Sequence, residues 1–137
     1  MMEVTDTWQG GLKFEATGKS GVSIVFDAKD AVSPAGPNPM EGILMALGAC
    51  TGMDVIHILR KMKQDVTGLE IKVSGEQAAE DPKAFTKISV RFTFKGNNLK
   101  KTEIERAVNL SQTKYCLVAA TLRKGVEIEH YIEPLQS

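Results

Sequence analysis

The sequence predicts an α+β fold, with a mostly antiparallel sheet and one long central helix buried against it. Three observations carry this. Short alternating runs come in groups, not in steady exchange with helices. One apolar stretch, residues 43–59, has helical spacing and is far too long for a strand. The order is strands, long helix, strands, helices, strand, which is not a β-α repeat. A chain of 137 residues is expected to form a single domain over residues 1–137.

Residues 4–8 and 12–17 read as strands on either side of Gln9-Gly10-Gly11, a hairpin turn signal. Residues 22–26 give another short strand after Ser20-Gly21. Pro34, Gly36, Pro37 and Pro39 mark residues 31–39 as a loop. Asn38 is a good N-cap, Pro39 suits the first helical position, and Glu41 complements the dipole in the first turn. Ile43, Leu47 and Cys50 share one helical face, and Leu44, Val55 and Leu59 a neighbouring one. Apolar residues cover most of the circumference, so this helix is expected to be buried on several sides. Lys61-Met62-Lys63 brings positive charge to its end.

Residues 69–78 alternate Leu69, Ile71 and Val73 against Glu70, Lys72 and Ser74. Residues 86–95 alternate Ile88, Val90, Phe92 and Phe94 against polar partners. Together they predict an antiparallel pair with one wet face. Thr102 and Glu105 predict a capping box that opens a helix, with Ile104, Ala107 and Val108 on its apolar side. A break near residues 113–115 precedes a second helical piece over 116–122, and residues 126–132 alternate as the closing strand.

The balance of 17 basic and 17 acidic residues argues against a broad nucleic-acid or anionic-membrane footprint. No apolar run is expected to span a bilayer, because Asp54 and His57 interrupt the longest one. The first residues lack a basic region followed by an apolar one, so no secretory signal is expected. Two cysteines without a Cys-x-x-Cys are too few for a disulfide scaffold, and a reducing cytoplasm is the default location. Two histidines and two cysteines without short ligand spacing argue against zinc, so neither metal nor cofactor is expected.

The chemistry therefore rests on Cys50 and Cys116. Cys50 lies in the apolar helix between Gly48 and Gly52, whose small size would let another segment or a substrate approach. Cys116 follows Lys114-Tyr115 and opens a second apolar stretch. Each has a bland reading as a small buried hydrophobe and a sharp one as a thiolate nucleophile. Asp54 and His57 follow Cys50 on the same helical side, but His57 is two turns on, roughly 10 Å along the axis. It reads as a hydrogen-bonding residue at a core edge or interface. His130, in the closing strand, reads as exposed. Lys114 either favours a thiolate at Cys116 or is simply solvated. Glu41 is explained by capping alone.

Gly36-Pro37-Asn38-Pro39-Met40-Glu41-Gly42-Ile43-Leu44-Met45-Ala46-Leu47-Gly48-Ala49-Cys50 resembles the Asn-Pro-x-Glu-Leu-Leu-x-Ala-x-x-x-x-Cys signature of the OsmC/Ohr family. These are the osmotically inducible and organic-hydroperoxide-resistance proteins. Lys114-Tyr115-Cys116 resembles the family's second cysteine segment, and the similarity runs over nearly the whole chain, nearest the YhfA-like branch. The resemblance implies an OsmC-like fold in an intertwined homodimer, with the two cysteines facing each other near the interface. It implies a thiol-dependent peroxidase acting on organic hydroperoxides in oxidative-stress defence, with Cys50 peroxidatic, Cys116 resolving and a dithiol as reductant. Met45, Leu47 and Met53 would then form an apolar wall beside Cys50. Glu41 enters as a third site residue on the same basis.

Two departures from the family pattern stand out. Well-characterised members carry an arginine in the N-terminal strands, whereas residues 1–59 here contain none. The hydroperoxide-resistance type has a glutamate ten residues before its cysteine, where this chain has Met40, with Glu41 shifted by one. That shift rotates a helical side chain by about 100°. The competing readings are a non-enzymatic redox-responsive or small-ligand-binding dimer and a purely structural one.

Overall fold

Glycine-led turns organise the start of the chain. The computed structural model describes residues 1–137, in two compact units, Met1–Ile43 and Leu44–Ser137. In the first, β1 (Thr5–Trp8), β2 (Phe14–Thr17) and β3 (Ser23–Phe26) pair antiparallel in sequence order. Gly10 and Gly11 turn the first hairpin at φ 93° and 55°, which glycine adopts without steric cost. The Trp8 indole N–H closes the turn by donating to the Gly11 carbonyl at 2.9 Å.

The long helix α1 (Pro39–Lys61) starts where its cap residues predict. Asn38 Oδ1 accepts from the Glu41 N–H at 2.9 Å, and Glu41 Oε1 accepts from the Asn38 N–H at 3.0 Å, a reciprocal capping box. Its other end is a Schellman turn. The Gln64 N–H donates to the Leu59 carbonyl and the Lys63 N–H to the Arg60 carbonyl. Lys63 takes the left-handed conformation, φ 56°, at the position that usually holds glycine.

The second unit is two-layered. β4 (Asp65–Gln77) and β5 (Phe85–Asn97) pair antiparallel, as their alternation predicts, and β6 (Glu127–Ile132) lies parallel to β5 on its other side. A parallel neighbour needs a crossover. Here it consists of α2 (Lys101–Leu110), a π turn (Ser111–Tyr115) and α3 (Leu117–Leu122). Ile88, Val90, Phe92 and Phe94 of β5 are fully buried and share the core with Leu47, Val55 and Leu59 of α1 and with Ile104, Ala107 and Val108 of α2. The opposite face of the sheet is polar. Lys87 pairs with Glu129 at 3.1 Å and Arg91 with Glu133 at 2.7 Å.

Four expectations change. The second helix begins at Lys101, so Thr102 lies inside it and caps nothing. Instead, Lys100 is the residue before the helix, and its N–H donates to Gln64 Oε1 at 2.9 Å. Burial of α1 is confined to the stripe Leu47, Thr51, Val55 and Leu59, while Met45 and Met53 stand 55% and 73% exposed. One sheet covers one side of a helix, and the composition of the other sides does not cover them. The helix is also long and apolar enough, by length and composition, to cross a bilayer; its buried stripe packs in a protein core instead. His130 is half-buried, and burial together with the Arg123 charge holds its pKa below the usual 6.5.

The left-handed Lys63 generates a stability prediction. A side chain in that conformation costs about 1–2 kcal/mol. Glycine there removes the strain but loses about 0.5–1 kcal/mol through greater freedom when unfolded. Lys63→Gly is therefore expected to raise unfolding stability by roughly 0.5–1 kcal/mol, read from urea midpoints, whereas Lys63→Val should lower it.

Candidate functional site

The second unit brings Cys50 of α1 and Cys116 of the crossover together. Both sulfurs and a carboxylate oxygen of Asp54 lie within 4.8 Å of one another. Both thiols are free. Cys50 is partly exposed and Cys116 is 3% exposed.

Local backbone chemistry explains the position of Cys116. After α2, the Cys116 N–H reaches back to the Ser111 carbonyl at 2.8 Å, a five-residue step that widens the helix into a π turn. Cys116 then leaves helical geometry at φ −70° and ψ 107° and caps α3. Its sulfur accepts from the Ala119 N–H at 3.4 Å, the bond that an N-cap serine oxygen would accept. The break predicted near residues 113–115 is this π turn, and it presents Cys116 at a helix start.

A buried polar cluster ties the π turn to α1. Thr51, the residue after Cys50, occupies a core position with no exposure. Its hydroxyl lies 3.4 Å from the Cys116 sulfur and accepts from Gln112 Nε2 at 3.0 Å. Ser111 Oγ donates to Asp54 Oδ2 at 3.3 Å and approaches the Thr51 carbonyl at 3.5 Å. Gln112 Oε1 is the one buried side-chain oxygen or nitrogen left unpartnered. Thr51, Ser111 and Gln112 escaped the sequence reading. Their signal was a polar residue interrupting the Leu47, Val55, Leu59 stripe, and a polar pair directly after the apolar face of α2.

Burial is the main influence on the Cys116 thiol and pushes its pKa up. The hydrogen bonds from Thr51 and from the Ala119 N–H pull it down, and the nearby Cys50 adds to the rise. No lysine or arginine acts on it. Lys114 is solvent-exposed, with its ammonium 5.4 Å from the Tyr115 ring centre.

Glycines 48 and 52 admit side chains of β4, and Gly52 also lines a groove of about 730 Å³ with Ala49 and Met53. A Cβ on Gly48 would stand 3.1 Å from Val73 Cγ2, and one on Gly52 3.1 Å from Ile71 Cδ1. Of the expected apolar wall, Leu47 is in the core and Met45 is five residues back, on the far side of the helix from Cys50. Met53 remains on the Cys50 side. A groove of about 520 Å³ is lined by Asp54, His57, Ile58, Lys61, Tyr115 and Leu117, among others. It thus borders the chain neighbours of Cys116 and the helical neighbour of Cys50. His57 faces this groove and stands outside the thiol cluster. Glu41 is engaged in its capping box with Asn38.

Residues 30–131 match the family described as OsmC-like protein. Protein YhfA of Escherichia coli strain K12 is 41% identical over 132 residues, spanning 96% of this chain and 97% of that protein. The crystal structure of a hypothetical protein from Aquifex aeolicus VF5 superposes with a TM-score of 0.87 at 28% identity, over 100% of this chain and 98% of that one. The organic hydroperoxide resistance protein OhrB of Bacillus subtilis shares the fold at a TM-score of 0.66 and 20% identity, over 97% of this chain and 98% of its own.

The Thr51 hydroxyl holds two partners at once, so removing it should be felt in both stability and titration. Thr51→Val strands the Gln112 amide and the Cys116 sulfur, and is expected to destabilise by about 1–3 kcal/mol in urea unfolding. In a Cys50→Ser background, the ultraviolet thiolate absorbance of Cys116 should rise at higher pH in Thr51→Val than in its parent, since a bond that lowers the pKa is gone. Burial favours the neutral thiol. The folded state should therefore keep this contribution below the free-thiol range of ~8.5 and lose it as pH climbs through the higher value of Cys116.

Proposed function

The chain belongs to the OsmC-like family, and from that premise we propose that it is a thiol-dependent peroxidase that reduces organic hydroperoxides. The observation that carries the reading is the approach of two free sulfurs to within 4.8 Å, one partly exposed and one buried. The partly exposed Cys50 is the nucleophile. Its thiolate attacks the outer oxygen of the O–O bond; the alkoxide leaves, takes up a proton and departs as the alcohol, and Cys50 is left as sulfenic acid. The Cys116 sulfur then displaces hydroxide from that sulfenic acid, forming the disulfide and water. A dithiol reductant returns both cysteines to thiols and itself becomes a disulfide, so two electrons enter per peroxide reduced.

Burial suits Cys116 to the second step. A thiol held mostly neutral reacts poorly with peroxide in solution but can meet a sulfenic acid formed beside it. The Thr51 hydroxyl supplies a hydrogen bond to its sulfur as charge develops there. Ile58, Leu110 and Leu117 make the adjoining groove largely apolar, which favours an alkyl chain over hydrogen peroxide. Glu41 helps to hold the start of the helix that carries Cys50, through its cap. The name of the Bacillus subtilis protein, organic hydroperoxide resistance, points the same way.

We place this activity in a homodimer, in a reducing cytoplasm. Met45 and Met53 stand exposed as apolar side chains of α1 in the single chain, and a second copy would cover them.

A second reading has its own support. Residues 1–59 hold no arginine, and no cation acts on Cys116. A redox-responsive or small-ligand-binding protein needs no such charge.

Reduced protein with dithiol is expected to consume an organic hydroperoxide catalytically, while Cys50→Ser consumes it no faster than buffer with dithiol. With the dithiol removed, reduced Cys116→Ser should complete one turnover and leave a Cys50 sulfenic acid that dimedone traps. Equal consumption by Cys50→Ser and parent removes the peroxidase and leaves the binding reading. Sedimentation velocity should give a dimer, and Met53→Asp should shift it towards monomer. A dimer unaffected by Met53→Asp places the interface elsewhere.

A further inference from the structure

Asp54 is unexplained by redox chemistry. A thiol pair has no need of a carboxylate oxygen within 4.8 Å of both sulfurs. None of the ion pairs in the chain includes Asp54. Its Oδ2 is held by Ser111 Oγ at 3.3 Å, which orients the carboxylate. Ser111 is fully buried and Asp54 half-buried, so this orienting bond is held at the edge of the core.

From this arrangement we propose that Cys50, Asp54 and Cys116 form a binding site for a thiophilic divalent cation of the zinc class. Two sulfurs and one oxygen suit zinc or cadmium in preference to magnesium or calcium. The spacing is close to what such an ion needs. Tetrahedral zinc sets its ligands about 3.8 Å apart for sulfur to sulfur and about 3.5 Å for sulfur to oxygen. The three atoms, already within 4.8 Å, need close by no more than about 1.3 Å. Cys50 and Asp54 sit one helical turn apart on α1, the i, i+4 spacing by which one helix offers two ligands to one ion. Cys116 comes from the start of α3, and the Ser111 hydroxyl donates to the carboxylate and would orient it towards the ion. The fourth position is left for water. The groove of about 520 Å³ reaches Asp54 and gives an ion a route in.

The sequence argued against zinc because its two cysteines and two histidines lack short ligand spacing. The fold supplies the third ligand from 62 residues beyond Asp54 (residue 116 less residue 54). Occupation and oxidation exclude each other, since a sulfur bound to the cation cannot also join a disulfide. The site is thus a point at which a zinc-class ion would hold the thiols reduced and silent.

The inference rests on the placement of three groups and not on the peroxidase reading. Cadmium binding without peroxide consumption would support the one and overturn the other. The test is an anaerobic titration of the reduced full chain with Cd²⁺, followed by thiolate-to-metal charge-transfer absorbance. One Cd²⁺ per chain is expected, displaced by Zn²⁺ and unaffected by excess Mg²⁺. Protein oxidised with diamide should bind none. Asp54→Asn should retain the sulfur band but weaken binding by at least about tenfold. Should the buried Cys116→Ser fail to fold, Cys50→Ser at its partly exposed position decides the contribution of sulfur, and must abolish stoichiometric binding. No stoichiometric band in the parent, or undiminished affinity in Asp54→Asn, overturns the site.

Discussion

Everything at the thiol pair depends on satisfying one buried hydroxyl. Thr51 sits at a fully buried position of α1, where an unpartnered polar group would be destabilising by about 1–3 kcal/mol. Its partners are Gln112 and Cys116, more than sixty residues away in sequence. The bonds work in both directions. They settle the hydroxyl, and they pin the π turn against the helix that carries Cys50. The sulfurs meet because the polar atoms beside them must.

The scaffold around this contact is built for support. β5 contributes four fully buried side chains to the core, with Phe92 and Phe94 stacked at 6.1 Å between ring centres. Gly48 and Gly52 let β4 approach α1 closely on either side of Cys50 in sequence. The π turn then supplies the irregularity that a regular helix cannot. It ends α2, turns Cys116 out of helical geometry, and starts α3 with a sulfur as cap. Rigid elements hold one thiol, and a local break in a helix aims the other.

Much of this was legible along the chain. Alternation located the strands of both sheets, and the Asn38, Pro39 and Glu41 cap located the start of α1, because these signals depend on neighbours within a few residues. The predicted start of α2 differs from the observed one because Lys100, not Thr102, is the residue before the helix, and its N–H donates to the distant Gln64. The burial of α1 was overestimated because composition describes a helix all round, whereas a single sheet covers one stripe. Thr51, Ser111 and Gln112 were passed over because a polar residue in an apolar run has no meaning until its partner is known.

The residues alone determined which elements form, which two thiols are the candidates for chemistry, and the family to which the chain belongs. They did so because propensity, periodicity and capping are short-range physics. Tertiary structure decided which thiol is buried, which donors face it, and that Asp54 stands beside both sulfurs. Those facts depend on desolvation and on contacts between segments some sixty residues apart, whose relative placement only the packed core sets.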